Sequence, residues 1–433
     1  MRAVGLITEY NPFHNGHLYH LRRSLELAEA EVSVAVMSGH FLQRGEPALV
    51  DKWVRAEMAL AAGVDVVVEL PLPWACSSAP DFARGGIQAL TALGVDACCF
   101  GSESGDLNAL QGCADLLADT HDIIEQRTSA ALRRGVTFPQ ARAQALAELF
   151  PEADTQEILA NPNNILGLAY LQALGETGSP IVPLSMTRIG AGYHDLDAKE
   201  GIASATGIRR RLRDGLDIDG LVPDPVANLL IKAFAEGMGL DEDIYYRLLS
   251  AQLLRQSDDL TRYWWVEAGL EQRLVDAADN SAGLEELISA VKARHLTRTR
   301  VQRALVAVLL GIETAVARSL LAAPPAYLHL LAVSQRGEAF LASRRKRRTI
   351  PLVQNFSRIR ALLKRRYGAE PETLLRAQNQ LALQIRASRI YTLLQKSCSG
   401  QRQRDYFESL RRGGNKTGKT GDTIPKPGTQ YQL

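Results

Sequence analysis

Apolar and polar positions change their spacing along this chain, and the change divides it. In the first half, short runs rich in Val, Ile and Ala recur at Ala3–Thr8, Val32–Met37, Val64–Glu69, Ala97–Phe100 and Ile181–Met186, with helix-length stretches between them. Runs that are apolar on both faces and alternate with helices predict a parallel sheet covered on both sides, whose ligands collect at the carboxyl ends of the strands. The notable motifs all sit at such ends. Ser38-Gly39-His40-Phe41-Leu42-Gln43-Arg44-Gly45-Glu46-Pro47 follows the second run, Leu70-Pro71-Leu72-Pro73 the third, Gly101-Ser102-Glu103 the fourth and Thr187-Arg188-Ile189-Gly190 the fifth. They are therefore expected to converge on one crevice. The strand pattern stops near Asp214-Gly215, and Pro223 and Pro225 mark a linker. From Ala227 to about Leu394 the periodicity is helical, interrupted at Pro324-Pro325 and Pro351. Beyond Ser397 the chain is polar and rich in Gly, Lys and Thr, the composition of a disordered tail. The expected division is an α/β unit over 1–220, a helix-rich unit over 221–396 and a basic tail over 397–433.

Composition adds two constraints. A chain of 433 residues with 46% hydrophobic side chains can bury ordinary cores and is long enough for two or three domains. Met1 leads straight into a strand, and no run approaches the ~18 apolar residues of a membrane span, so a soluble cytoplasmic protein is expected. The five cysteines follow neither a disulfide framework nor a zinc-ligand spacing and read as reduced thiols. The net charge of +2 conceals an asymmetry. Residues 1–220 hold 17 basic and 28 acidic side chains, whereas residues 291–433 hold 28 basic and 7 acidic. Such an excess is the electrostatic footprint of a polyanion-binding region; the plainer reading is a solvated helical surface with a basic tail.

The chemistry centres on Glu9-Tyr10-Asn11-Pro12-Phe13-His14-Asn15-Gly16-His17, where the first strand enters a turn at a helix start. A glycine before the second histidine allows close backbone approach, the positive helix end favours anionic oxygens, and the two imidazoles can donate to phosphate oxygens as an α–β bond breaks. The H-x-G-H spacing resembles the signature of the nucleotidyltransferase and class I tRNA synthetase superfamily. Ser204-Ala205-Thr206-Gly207-Ile208-Arg209 resembles its second signature, in which hydroxyls and a guanidinium bind phosphate; a plain N-cap is the alternative. Arg188, in a strand-exit turn, suits phosphate or adenine stacking; a surface arginine is the alternative. Asn163 and Asn164, at a helix start, suit base or ribose recognition or a cap, and Gly101 leaves bare backbone for an adenosine or serves a tight turn. Gln43-Arg44-Gly45-Glu46 with Asp51 and Lys52 offers a cation for a small carboxylate, and His194-Asp195 could orient a base; a solvated loop and a structural pair are the respective alternatives. His20 reads as packing. No carboxylate pattern specifies metal ligands.

Together with Gln43–Ala48, Asp51-Lys52-Trp53, Phe100–Glu103, Asn161–Gly167 and Arg188–Asp195, the first motif closely resembles the bacterial tRNA(Met) cytidine acetate ligases over roughly residues 1–395. The resemblance implies a HIGH-type, Rossmann-like nucleotidyltransferase domain followed by a helix-rich, basic RNA-binding domain. It implies activation of acetate by ATP to acetyl-adenylate, then acetyl transfer to N4 of the wobble cytidine of elongator tRNA(Met). It places ATP on Ile7, Thr8, Glu9, Tyr10, Asn11, Pro12, Phe13, His14, Asn15, Gly16, His17, Leu18, Tyr19, His20, Gly101, Asn163 or Asn164, and Arg188, to which the second signature adds Ser204, Thr206 and Arg209. His14, His17 and Arg188 are the expected catalytic residues, and Mg²⁺ is expected beside ATP. Arg294, Arg298, Arg300 and Arg303 lie in a stretch like the family's basic RNA-contacting segment. No protein partner is expected. The chain departs from the pattern at His40, where asparagine is expected, and at Ala387-Ser388-Arg389-Ile390-Tyr391. The rival readings are a nucleotidyltransferase acting on a small-molecule phosphate and a nonenzymatic RNA-binding protein with a vestigial nucleotide site.

Overall fold

The computed structural model describes the chain except residues 135, 137, 153, 154, 156, 157, 160, 189–202, 294, 295, 398, 399, 401 and 414–433. The five expected strands form as β1 (Ala3–Thr8), β2 (Val32–Ser38), β3 (Val66–Leu70), β4 (Ala97–Ser102) and β5 (Val182–Thr187), parallel and in the order β5-β4-β1-β2-β3. Parallel neighbours need crossovers, and the alternation of side chains decides what each face receives. Val4, Leu6, Ala35, Met37 and Val67 face α1 (Asn15–Leu27) and α2 (Lys52–Ala61). Ala3, Val34, Val36, Val66 and Val68 face α3 (Ala79–Leu93), the Pro162–Glu176 helix and much of the later helical region.

The sheet does not end with the first half. β6 (Leu328–Val333) pairs antiparallel with β3, and β7 (Leu352–Val353) and β8 (Arg411–Arg412) both pair with β6. Two expectations are corrected here. The segment from Ala227 to Leu394 is helical as expected except for strands in the common sheet. The six residues of β6 are all buried, so the run lacks the alternation that separates a strand from a buried helix turn. The chain beyond Ser397 is also ordered over residues 402–413, where it adds a helical turn, Arg404–Phe407, and β8. Residues 414–433, the rest of the expected tail, lie outside the described residues.

What holds this segment is charge rather than apolar pattern. Asp51 caps α2, its Oδ1 accepting the N–H groups of Trp53 and Val54, while its Oδ2 takes the Arg404 guanidinium at 2.7 Å. Arg404 lies 4.4 Å over the Trp53 ring. Lys52 is wholly buried and gives its ammonium to Glu69 Oε2 at 2.8 Å and Asp405 Oδ1 at 2.6 Å, with His329 Nδ1 at 3.2 Å from the same Glu69 oxygen. Burial alone raises the Glu69 carboxyl, but Lys52 and His329 outweigh it and hold it at about 2. Burial disfavours the Lys52 ammonium, and the two carboxylates overcome that cost.

Breaking a buried pair from one side leaves a charge without compensation, at a cost of about 3–5 kcal/mol. Asp405→Ala should lower the unfolding free energy by that amount in urea titrations. A loss below about 1 kcal/mol would show that the 402–413 segment does not stabilise the sheet.

Candidate active site

The turn after β1 is organised by its own histidines. His14 is the N-cap of α1, and its Nδ1 accepts the Gly16 N–H at 3.0 Å; His17 Nδ1 in turn accepts the His14 N–H at 3.2 Å. This is a capping box built from imidazoles in place of the usual hydroxyl and carboxylate. A neutral ring whose Nδ1 accepts must carry its proton on Nε2. Both rings, 3.8 Å apart between centroids, therefore keep an Nε2–H donor for something outside the turn. Burial, then Arg188 and Arg209, push His14 down to about 3, and burial, then the adjoining His14 and His20 rings and Arg188, pushes His17 well down. His20 gives its Nε2–H to the Cys99 carbonyl at 3.2 Å and is pushed down to about 4, so it braces α1 against β4. The expected bare N–H groups at the helix start are already taken. Asn15 N–H goes to Leu221 O at 3.1 Å and Gly16 N–H to His14, so an anion here meets imidazole N–H groups and the helix dipole instead.

The second signature lies over the first. Ser204 Oγ caps the Ala205–Arg213 helix by accepting the Gly207 N–H at 3.0 Å, and Arg209 reaches Thr206 Oγ1 at 3.4 Å, Asn11 O at 2.9 Å and Glu46 Oε1 at 3.1 Å. Glu9, at the exit of β1, accepts the Gln43 N–H at 2.7 Å; burial raises its carboxyl, opposed by that N–H. On the other side, Arg188 gives Nη1 to Asn163 Oδ1 at 2.8 Å. Glu103, whose role no local pattern shows, accepts from Asn163 N and Nδ2 and from Asn164 N at 2.9–3.2 Å, while Asn164 Oδ1 accepts from Glu103 N–H. A side chain on Gly101 would stand 2.8 Å from Arg188 Cγ, so this glycine makes room for the arginine as well as for any ligand. Thr8, Tyr10, Asn11, Ser38 and His40 each keep a buried polar atom without a partner around the exits of β1 and β2.

Other candidates fall elsewhere. Asp51 and Lys52 are sealed in the buried network, so Lys52 cannot hold a carboxylate in the crevice. His40 is buried, stacked on Tyr391 at 4.5 Å and held well below its usual range by burial and nearby cations. Arg298 makes a two-pronged pair with Glu285, Arg300 pairs with Glu267, and Arg303 gives Nε to Gln43 O at 2.8 Å beneath Trp265. Three of the four arginines expected on RNA are thus committed within the chain; Arg294, like His194 and Asp195, lies outside the described residues. Arg55, absent from the sequence reading, is buried beneath the crevice and donates to the carbonyls of Glu9, Ser38, Gly39 and Val50. Among the described residues, Glu69, His329 and Asp405 alone could share a metal ion, and Lys52 already fills that place.

A family model described as HIGH Nucleotidyl Transferase matches residues 1–405. The chain is 55% identical to the tRNA(Met) cytidine acetate ligase of Syntrophotalea carbinolica, over 94% of this chain and 98% of that one. It is 39% identical to the protein of the same name from Lysinibacillus sphaericus, over 82% and 89%. The crystal structure of Thermotoga maritima TmcAL bound with alpha-thio ATP is similar at a TM-score of 0.87 and 31% identity, covering 95% of this chain and 100% of that one.

Two outcomes test the geometry. The buried histidines refuse protons that the unfolded chain accepts, so stability is full above about pH 6.5 and falls as the pH drops toward 3–4. Melting temperatures should therefore decline below about pH 6.5, and His14→Asn with His20→Asn should flatten the decline; an unchanged slope would mean these rings titrate freely. Arg188→Ala should weaken ATP binding by about tenfold or more, from loss of a charge-assisted bond. An unaltered ATP dissociation constant in calorimetry would place Arg188 outside the nucleotide site.

Proposed function

The chain belongs to the HIGH nucleotidyltransferase family, and from its tRNA(Met) cytidine acetate ligase relatives we propose that it uses ATP to join acetate to a cytidine of tRNA(Met). It is an ATP-dependent ligase. The observation that carries the reading at the residue level is the pair of neutral imidazoles at the start of α1. Their Nε2–H groups are free to donate, Arg188 bears on both rings, and Arg209 bears on His14.

An acetate oxygen attacks the α-phosphorus, and the α–β bridge breaks as negative charge grows on the departing pyrophosphate. His14 and His17 donate to those oxygens without themselves carrying charge, while Arg188, Arg209 and the α1 dipole supply the positive potential. Asn163, Asn164 and Gly101 border the adenosine side, and Ser204 and Thr206 border the phosphates. The acetyl-adenylate then meets N4 of the wobble cytidine of elongator tRNA(Met). The C–N bond forms as the acyl C–O bond to AMP breaks, and the amine loses its proton. An anticodon loop can present this base unstacked at a cost of a few kcal/mol. Mg²⁺ would accompany ATP in this reading and would neutralise charge on the phosphates; no step is assigned to it. The first 220 residues act on the nucleotide, and the later residues carry most of the positive charge for RNA. Among the described residues no helix is long and apolar enough to cross a membrane, and the cytoplasm, where tRNA is, is the proposed location.

Incubation with labelled acetate, ATP and tRNA, followed by nucleoside mass spectrometry, should yield labelled N4-acetylcytidine from tRNA(Met) alone. His17→Ala should reduce acetate-dependent exchange of pyrophosphate into ATP by about 100-fold or more, by analogy with loss of one oxyanion donor, while tRNA affinity is kept. Label in AMP-linked small molecules and none in tRNA would favour a nucleotidyltransferase of small phosphates instead.

A further inference from the structure

The cations that remain free to meet RNA are not on the Arg298–Leu310 helix. Residues 339–369 contain ten basic and no acidic side chains. Arg345, Lys346, Arg347, Arg358, Arg360, Lys364 and Arg365 are exposed and make no ion pair among the described residues, and Arg366 ties the later part of the stretch to its middle by donating to Thr349 O at 3.3 Å.

Beside this surface are two clefts on the α3 side of the sheet. The first, of about 340 Å³, lies between Arg84 and Gln88 of α3 and Arg318, Leu321 and Ala322 of the helix Thr314–Leu321 and its end. The second, of about 200 Å³, includes Trp74, Leu320, Pro325, Thr349, Arg366 and Arg376. The clefts share both walls. Leu320 and Leu321 are consecutive, and Gly85, next to Arg84, packs so closely on Trp74 that a Cβ would stand 2.4 Å from its ring. Each cleft presents two guanidiniums. Among the described residues Arg318 makes no ion pair; Arg84 pairs through Nη2 with Asp81 at 2.5 Å but keeps its Nε buried without an acceptor, as does Trp74 Nε1. Guanidiniums and unfilled N–H donors set in clefts otherwise lined mainly by apolar side chains suit phosphate oxygens spaced along a chain.

We propose that the sugar–phosphate backbone of the tRNA docks in this seam, with phosphates at the Arg84/Arg318 and Arg366/Arg376 clefts, and continues over the 344–366 surface. The proposal rests on the tRNA substrate assigned above and changes where the tRNA is held. The seam is built jointly by α3 of the nucleotide-binding sheet and by the later half of the chain, so bound RNA touches both.

The test is tRNA affinity across a salt series for wild type, for Arg318→Ala/Arg366→Ala/Arg376→Ala, and for Arg298→Ala/Arg300→Ala. Each lost phosphate contact removes about 0.7–0.9 of the slope of log affinity against log salt. The seam variant should lose about two units and bind tRNA at least tenfold more weakly at physiological salt, with acetate-dependent pyrophosphate exchange intact. The Arg298/Arg300 variant should keep the wild-type slope. If the triple variant melts early, Arg318→Ala alone, which breaks no ion pair, should still lose nearly one unit. An unchanged slope in the seam variants, or a loss confined to Arg298/Arg300, overturns the proposal. Wild-type enzyme that binds tRNA with this salt dependence yet forms no acetylcytidine would overturn the assigned reaction and leave the seam standing.

Discussion

The crevice depends on a guanidinium that never meets water. Arg55, in the first turns of α2, spreads its N–H groups over the carbonyls of Glu9 at 2.6 Å, Ser38 at 3.0 Å, Val50 at 3.2 Å and Gly39. Glu9 and Ser38 stand where β1 and β2 run out of ladder partners, at the depth where an unpaired carbonyl is costly. Without Arg55 these strand exits would need water or a different path. Three residues earlier, Lys52 ties the same helix to the end of β3 through the Glu69 carboxylate. One short helix thereby fixes the carboxyl ends of three adjacent strands, and every residue of the nucleotide turn is placed relative to those ends. Polar groups, more than apolar packing, give the crevice its shape, because packing fixes the distance between layers and leaves the course of the loops open.

The same economy governs charge. The three histidines at α1 are neutral at physiological pH because burial and the cations beside them oppose protonation. Their role is directional. In His14 and His17, tautomers set by backbone N–H donors leave Nε2–H free to donate, while His20 spends its own on Cys99 O, and the positive potential comes from Arg188 and Arg209. Before a ligand arrives, Arg209 rests on Glu46 and Asn11 O, and Arg188 on Asn163. These are contacts that a polyanion can exchange for stronger ones.

Legibility in the sequence followed locality. β1 to β5, the turn and both signatures could be read because each is a contiguous pattern whose physics lies within a dozen residues. The strand ends differed by one or two positions, as at Val66–Leu70 against the expected Val64–Glu69. β6 escaped because a run buried on both faces has no period, and β8 because Arg411-Arg412 carries no strand signal. The order of residues 402–413 was hidden since it depends on Asp405 meeting Lys52, 353 positions away. Arg55 and Glu103 were equally invisible: a basic residue in a helix and an acid after a strand look solvated until their partners are known. The basic stretch 298–303 looks unpaired in the sequence for the converse reason, since the acids that meet Arg298 and Arg300, Glu285 and Glu267, stand before residue 291, outside the basic region.

That stretch has a function in the fold that its charge obscures. Gly45 has φ +83° and sits against the Arg303 backbone, where a Cβ would come within 2.3 Å of the amide nitrogen, so only glycine fits. Gln43, two residues earlier, is held from three sides, by Glu9 Oε1 at its N–H, Arg303 Nε at its carbonyl and Ser77 O at its side-chain amide. The loop that faces the nucleotide turn is thus clamped by the helix that begins the basic half of the chain. A unit confined to the first 220 residues would lack this clamp, the β6 neighbour of β3 and the Asp405 partner of Lys52. The nucleotide crevice therefore draws its rigidity from the part of the chain whose composition points to RNA, and the two cannot be separated without opening the strand exits on which the site is built.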